Sequence, residues 1–260
     1  MTSLVCLVAG LSSRFGGKPK QLEKVGPNNE TLIEYSINQA LSVKLKNIIF
    51  VTNTKTEDNF KTIFGNLYKN IPVYYIKQEY NNLVRARPWG TLDAICTAIP
   101  LINSKFIVIN GDDIYGEYAY KQASKYFTNN NLIGLVETIK TLPKTGTVNR
   151  GIVKIDDKYV KSLDEKIGIS IENIGLHNTL SNVNFLCFQP EIIFIFKKYL
   201  DAFKIKYEND DKIEILLPDI LNEMISKNEI ILESFIIEHN ILGITNPEDS
   251  NIVKNLLINK

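Results

Sequence analysis

Residues 4–22 read LVCLVAGLSSRFGGKPKQL, an apolar run that stops at glycine and is followed by Arg14, Lys18 and Lys20 before the first acid, Glu23. Cations on a glycine-punctuated loop after a strand-like run suit a phosphate: small residues let the backbone approach a ligand, and Arg and Lys neutralise it. The loop is not a P-loop, because Gly17-Lys18 is followed by Pro19 where Ser or Thr is needed to hold magnesium. Nor is it the dinucleotide fingerprint: the second glycine would fall on Ser12, and no acid ends a second strand to bind a ribose. What remains is Ala9, Gly10, Ser12 and Ser13 for close backbone approach, with Arg14 and Lys20 available to a polyphosphate. A surface loop with solvated cations is the competing reading, and Lys18 reads as a solvent-side charge. A second candidate is Gly111-Asp112-Asp113, which cuts off the apolar run KFIVIN. Carboxylates at the carboxyl end of a buried parallel strand stand where open α/β sheets bind ligands, and they are hard ligands for a Mg²⁺ that also bridges phosphate oxygens. The alternative is a turn with an Asp cap. The cationic loop and the acid pair together suggest a magnesium–nucleotide site.

These groups must be positioned by the elements around them. LVCLVAG (4–10), NIIFVT (47–52), PVYYI (72–76) and KFIVIN (105–110) read as buried strands. TLIEYSINQAL (31–41), a polar amphipathic stretch around 55–64, and LDAICTAIPLI with Thr91 as N-cap read as helices between them. The alternation predicts βαβ units and a mostly parallel sheet, hence an α/β fold. From about residue 129 the chain turns β-rich, with short strands at 132–138, 151–156, 159–163 and 183–188 and a hairpin at IDDKYV. Helices are expected at 190–200, 217–227 and from about Pro247, with a β-like run IILESFIIE between the last two. No repeat or linker interrupts the chain, which predicts a single domain over 1–260 with a nucleotide-binding half (1–128) and a second half (129–260).

The net charge of +1 offers no general attraction to nucleic acid or an anionic membrane, so anions must be bound by local clusters. Apolar runs are strand-sized, and the N-terminus lacks the basic region of a signal peptide. Cys6, Cys96 and Cys187 are odd in number and set in apolar runs, which reads as reduced thiols in a cytoplasmic protein.

AGLSSRFGGKPKQL resembles the signature of the sugar-phosphate nucleotidyltransferases, roughly A/G-G-x-x-x-R-(loop)-P-K. The resemblance continues in order through RPWGTLDA (87–94), close to the family's G-T-x-x-A segment in a P-W-G-T bacterial-type form, and INGDDIYG (109–116), its metal-binding G-D segment. NRGIVKID, SLDEK, SNVNFLCF and ILGITNPEDS match later blocks, so nearly the whole chain is covered. The family implies a GT-A-like, three-layer αβα fold with a β-richer sugar-binding second half. It also implies a reaction: a nucleoside triphosphate and a sugar-1-phosphate give a nucleotide-sugar and pyrophosphate, with Mg²⁺ as cofactor. By resemblance, Ala9 and Gly10 contact the nucleoside through their backbone, Arg14 grips the triphosphate, and Lys20 binds near the α-phosphate. Gln78 reads the base edge with Gly90 and Thr91, and Asp112 holds the metal. Gly151, Glu165 and Asn184 bind the sugar, and Lys166 meets its phosphate. Gln78 favours a pyrimidine, UTP or dTTP, with N-acetylglucosamine-1-phosphate or glucose-1-phosphate. A cytidylyltransferase acting on a polyol phosphate, or a catalytically weak nucleotide-sugar-binding protein, stand as alternatives.

Transfer of this kind brings two anions together and needs cations and Mg²⁺ rather than a Ser, Cys or His nucleophile, so His177 and His239 are expected to be structural. The chain departs from the family at one position. Many relatives carry a second metal-binding Asp or Asn in a W-L-D-T-G-T-P-E-D-like block, where ILGITNPEDS has Gly243. Asp113, Asp249 or water would complete the metal sphere, or one carboxylate suffices. Arg85 and Arg87, in an insertion before Pro88, are expected either to touch phosphate or to be solvated rim charges. Trp89 is either a pocket wall or core.

Overall fold

The computed structural model describes residues 1–10, 15–16, 18–142, 146–172, 179–244 and 246–258. In chain order the elements begin with β1 (Thr2–Leu7), α1 (Leu32–Ala40), β2 (Leu45–Thr52), α2 (Glu57–Phe64), β3 (Leu67–Tyr68) and β4 (Ile71–Lys77). Next come α3 (Thr91–Thr97), β5 (Phe106–Asn110), β6 (Asp113–Ile114) and α4 (Glu117–Tyr126). The second half holds β7 (Asn131–Glu137), β8 (Val148–Asp156), β9 (Tyr159–Ile169), β10 (Leu180–Phe188), α5 (Ile192–Lys206), α6 (Leu217–Ser226), β11 (Leu232–Ile236), β12 (Leu242–Gly243) and α7 (Asp249–Ile258).

Ten strands form one sheet in the order β3-β4-β2-β1-β5-β10-β7-β11-β9-β8, and β12 pairs with β6 beside it. The first-half strands are parallel: β1 pairs in parallel with β2 and β5, and β2 with β4. β10 runs antiparallel to both β5 and β7, while β11 runs parallel to β7. Thus β4, β2, β1, β5, β7 and β11 share one direction with a single reversed strand among them, and the β8–β9 hairpin closes one edge. The expected α/β architecture with a mostly parallel sheet and a β-richer second half is what the chain forms.

Both sheet faces are covered, which is why the strands carry near-continuous apolar runs. Helices α3, α5 and α6 bury Leu92, Ile95, Phe196, Leu200, Leu221 and Met224 against one face. Helices α1, α2 and α4 bury Ile33, Ile37, Phe60, Phe64 and Tyr120 against the other. Thr31 and Glu34 form a full capping box at the start of α1. Thr91 does not cap α3. Gly90 is the N-cap, and the Thr91 hydroxyl instead accepts from Leu217 N at 2.8 Å, tying α3 to α6. α3 stops at Thr97 with Ala98 as C-cap, and Pro100, which lacks an N–H, lies in the 3-10 turn Ile99–Leu101 that follows, so the helix expected over 92–102 is shorter. Cys6 and Cys187 are buried, all three cysteines are free thiols, and burial pushes the Cys96 thiol up to about 12. Among the described residues no helix is long and apolar enough to cross a membrane.

Candidate active site

The carboxyl ends of β1, β2, β4 and β5 line up along one edge of the sheet. Residues 9–10 and 18–20 follow β1, and Lys20 opens a 3-10 turn over Lys20–Leu22. Its ammonium stands 2.5 Å from Asp112 Oδ2, in the turn after β5. The first loop and the acid pair, far apart in sequence, therefore meet. Ala9 is buried, and its carbonyl accepts from Asn53 Nδ2 at 2.9 Å across the end of β2. Gly10 is exposed, with open space where a side chain would stand. Ser12, Ser13 and Arg14 lie outside the described residues, as does His177.

Asp113 is held firmly. Its Oδ2 accepts from Asn110 Nδ2 at 3.0 Å and lies 3.4 Å from the Tyr115 hydroxyl, which is also 3.0 Å from Val183 O and accepts from Asn110 N at 3.1 Å. Part of Asp113 reaches solvent, yet its carboxyl is packed among protein atoms. That desolvation, and then the negative charge of Asp112, push its carboxyl well above the usual carboxylate range. Two adjacent carboxylates in a turn at a strand end suit a divalent cation. A Cβ at Gly243, which pairs with Asp113 across β12–β6, would stand 2.4 Å from Asp113 Oδ1. The Asp113 carboxylate thus fills the space a side chain at 243 would take. Asp249 accepts from Asn246 N at 2.7 Å in the first turn of α7, a capping arrangement. No cluster of three or more His, Cys, Asp or Glu poised for a metal exists among the described residues. Mg²⁺ needs no such cage, since one or two carboxylates plus substrate phosphates hold it, and Asp112 with Asp113 fit that pattern.

Gln78 follows β4 and is buried; its backbone N–H donates to Thr52 O at 2.9 Å. Its amide donates to Gly90 O at 3.0 Å and to Asp93 Oδ2 at 2.8 Å. Gly90 has φ +110°, and a Cβ there would stand 2.5 Å from Ile215 O, so glycine is required by the backbone passing over it. Arg85, expected at the rim or on phosphate, is neither. It is 5% exposed, donates to Asp210 O, Ile213 O and Arg87 O, and stacks 3.4 Å over the Trp89 ring. Trp89 accordingly seats that arginine and meets Phe203 edge-on. Arg87 is a rim charge paired with Glu214 at 3.1 Å. His239 packs edge-on against Tyr118, consistent with a structural role.

In the second half, Gly151 on β8 pairs with Glu165 on β9, whose Oε2 is 3.6 Å from where a Gly151 Cβ would be. Asn184 adopts φ +56° where the β10 register is irregular, its N–H donating to Asn182 Oδ1 at 2.8 Å. Lys166, the next residue after Glu165 on the strand, points to the other sheet face and lines an open groove with Ile152, Lys154 and Thr179. Glu165 and Lys166 are therefore not brought to one pocket by the strand alone. Sequence reasoning missed Arg150, which pairs in register with Lys166, donates to the Thr141 hydroxyl and carbonyl, and is attracted by Asp113 and Glu165. It also missed Asp219 on α6; burial first, and then the charge of Asp219, raise the Glu165 carboxyl above its usual range. Only the RG pair beside Gly151 could have flagged Arg150, and nothing local marks Asp219.

Comparison with known proteins decides the family. Residues 11–233 match the model of the nucleotidyl transferases. The chain belongs to that family. Over 74 residues it is 38% identical to a molybdenum cofactor guanylyltransferase of Vibrio vulnificus, a match spanning 28% of this chain and 36% of that relative's length. The inositol-1-phosphate CTP transferase of T. maritima superposes with TM-score 0.69 at 14% identity, over 100% of this chain and 97% of that one. A UDP-glucose pyrophosphorylase solved with UDP-glucose superposes with TM-score 0.65 at 19% identity, over 98% of each chain. At these identities the two structures establish the shared nucleotidyl transferase fold.

Proposed function

We propose that the chain is a Mg²⁺-dependent sugar-1-phosphate nucleotidyltransferase of one domain. Residues 1–128 would bind a pyrimidine triphosphate, UTP or dTTP, and residues 129–260 a sugar-1-phosphate, N-acetylglucosamine-1-phosphate or glucose-1-phosphate. The observation that supports the reading is the Lys20–Asp112 pair at 2.5 Å: a cation suited to phosphate and a carboxylate suited to a metal meet at one strand-end cleft. In this reading Arg14 and Lys20 hold the triphosphate, with Lys20 turning from Asp112 to the α-phosphate as substrate binds. Gly10, with the backbone around Ala9, Ser12 and Ser13, meets the nucleoside. Gln78 reads the base beside Gly90 and Thr91. Gly151, Glu165 and Asn184 hold the sugar and Arg150 its phosphate, while Lys166, on the other face of the strand, takes no part. Asp112 and Asp113 would hold Mg²⁺, which supplies charge neutralisation at the phosphates when bound. A sugar-phosphate oxygen forms a bond to the α-phosphorus, and the bond from that phosphorus to the pyrophosphate oxygen breaks, its electrons leaving with pyrophosphate. The protein's part is to orient the two anions in line and exclude competing water.

The test is pyrophosphate release from a panel of UTP, dTTP, CTP, GTP and ATP, each with sugar-1-phosphates and polyol phosphates. Release with a pyrimidine triphosphate and a sugar-1-phosphate, dependent on Mg²⁺ and lost in a folded Asp112→Asn variant, is expected. Release only with CTP and a polyol phosphate would replace the substrate assignment. Tight nucleotide-sugar binding with no turnover for any pair would overturn the enzymatic reading.

A further inference from the structure

Gln78 ends a strand at the cleft with its amide committed. Both hydrogens of Nε2 are directed to acceptors, Gly90 O at 3.0 Å and Asp93 Oδ2 at 2.8 Å. Neither partner can donate there, so the amide cannot be reversed without losing both bonds. The planar group then carries its oxygen on the edge turned away from the first turn of α3. Asp93 is 4% exposed, and its second oxygen accepts from the Lys204 ammonium of α5 at 2.5 Å. Held from one side by the Lys204 ammonium and from the other by the Gln78 amide, the carboxylate has each oxygen committed as an acceptor and its orientation fixed. The chain Lys204–Asp93–Gln78 thus runs from α5 through α3 to the end of β4, and its last free group is one acceptor.

We propose that Asp93 and Lys204 are positioning residues for base selection. They present the Gln78 oxygen, and not its NH₂, to the nucleobase, so the site takes a pyrimidine with a ring N–H at its pairing edge, uracil or thymine. Cytosine is disfavoured because its ring N3 meets the same oxygen with a lone pair. The proposal rests on the nucleotidyl-transfer reading, with Gln78 facing the base. Neither Asp93 nor Lys204 touches substrate in it.

Equilibrium affinities of UTP, dTTP and CTP, with inorganic tripolyphosphate as a base-free probe, test it on the full chain by calorimetry. The unmodified protein is expected to bind UTP or dTTP at least about tenfold more tightly than CTP, the discrimination a single well-placed hydrogen-bonding group gives. Asp93→Asn and Lys204→Met are expected to lower that ratio at least fivefold while leaving tripolyphosphate affinity unchanged, with folding checked by thermal melts. A merely structural role would move all four affinities together. Preference for CTP in the unmodified protein, measured without any variant, would overturn the proposal. An unchanged ratio in a folded variant would do the same. Failure to bind any triphosphate would instead overturn the nucleotidyl-transfer reading beneath it.

Discussion

Gly243 shows how one missing side chain can be informative. The space above it is taken by the Asp113 carboxylate, whose other oxygen is fixed by Asn110, so Asp113 cannot swing aside cheaply to admit a methyl group. Gly243→Ala is therefore expected to destabilise the protein by about 1–3 kcal/mol, the usual cost of overpacking. It should also raise the Mg²⁺ concentration needed for half-maximal activity, because Asp113 is the group displaced. Chemical denaturation and a Mg²⁺ titration of turnover check the two parts; a variant as stable as the parent, with the same Mg²⁺ dependence, would remove Asp113 from the metal assignment. At this scale the sequence marks much of the candidate site. Lys20 and Asp112 stand on conspicuous loops after apolar runs, and the chemistry of a cation and a carboxylate is visible without a fold. Asp93, Lys204, Arg150 and Asp219 were not legible, because each acquires its role from a partner on another element. In sequence, Asp93 is merely an acid in a helix and Arg150 a cation in a strand.

At the scale of elements, α3 depends on how closely the 213–216 segment crosses it. Ile215 N donates to Trp89 O at 2.7 Å and Leu92 N donates to Ile215 O at 3.3 Å, so the crossing chain is bonded to the start of the helix. Gly90→Ala would put a Cβ 2.5 Å from a backbone oxygen at φ +110°, where an L side chain is already strained. The combined cost is expected at about 2–4 kcal/mol, read as a lowered urea midpoint with an unchanged slope. A midpoint equal to the parent's would mean that the crossing segment moves freely. The strands and most helices were readable because a strand buried on both faces must be apolar throughout and a one-sided helix must carry a stripe. Helix ends were less so: Thr91 is a good N-cap residue, but α6 uses its hydroxyl, a choice made in three dimensions. The reversed direction of β10 was likewise hidden, since an apolar run carries no sign of which way its strand will run between two neighbours.

At the scale of the molecule, that reversed strand is where the two halves join. β10 lies between β5, which ends at the acid pair, and β7, which begins the second half, and its irregular stretch carries Asn184. The Tyr115 hydroxyl ties this junction together: fully buried, it accepts from Asn110 N, lies beside Asp113 and reaches Val183 O at 3.0 Å, one residue before Asn184. Burial, and then the charge of Asp113, raise the Tyr115 phenol well above its ordinary value, so it stays a protonated donor at any working pH. Tyr115→Phe keeps the ring, which packs against Phe185, but leaves Val183 O without its donor, at a cost of about 1–3 kcal/mol in stability. Because the hydroxyl fixes the β10 irregularity relative to Asp113, its loss should fall on the second substrate of the proposed reaction. KM for the sugar-1-phosphate is expected to rise several-fold, while affinity for the triphosphate, which the proposed function seats on loops on the far side of β5, stays within about twofold. Steady-state kinetics with each substrate varied in turn separates the two. Equal changes for both would mean that Tyr115 supports the whole cleft rather than the seam between its halves.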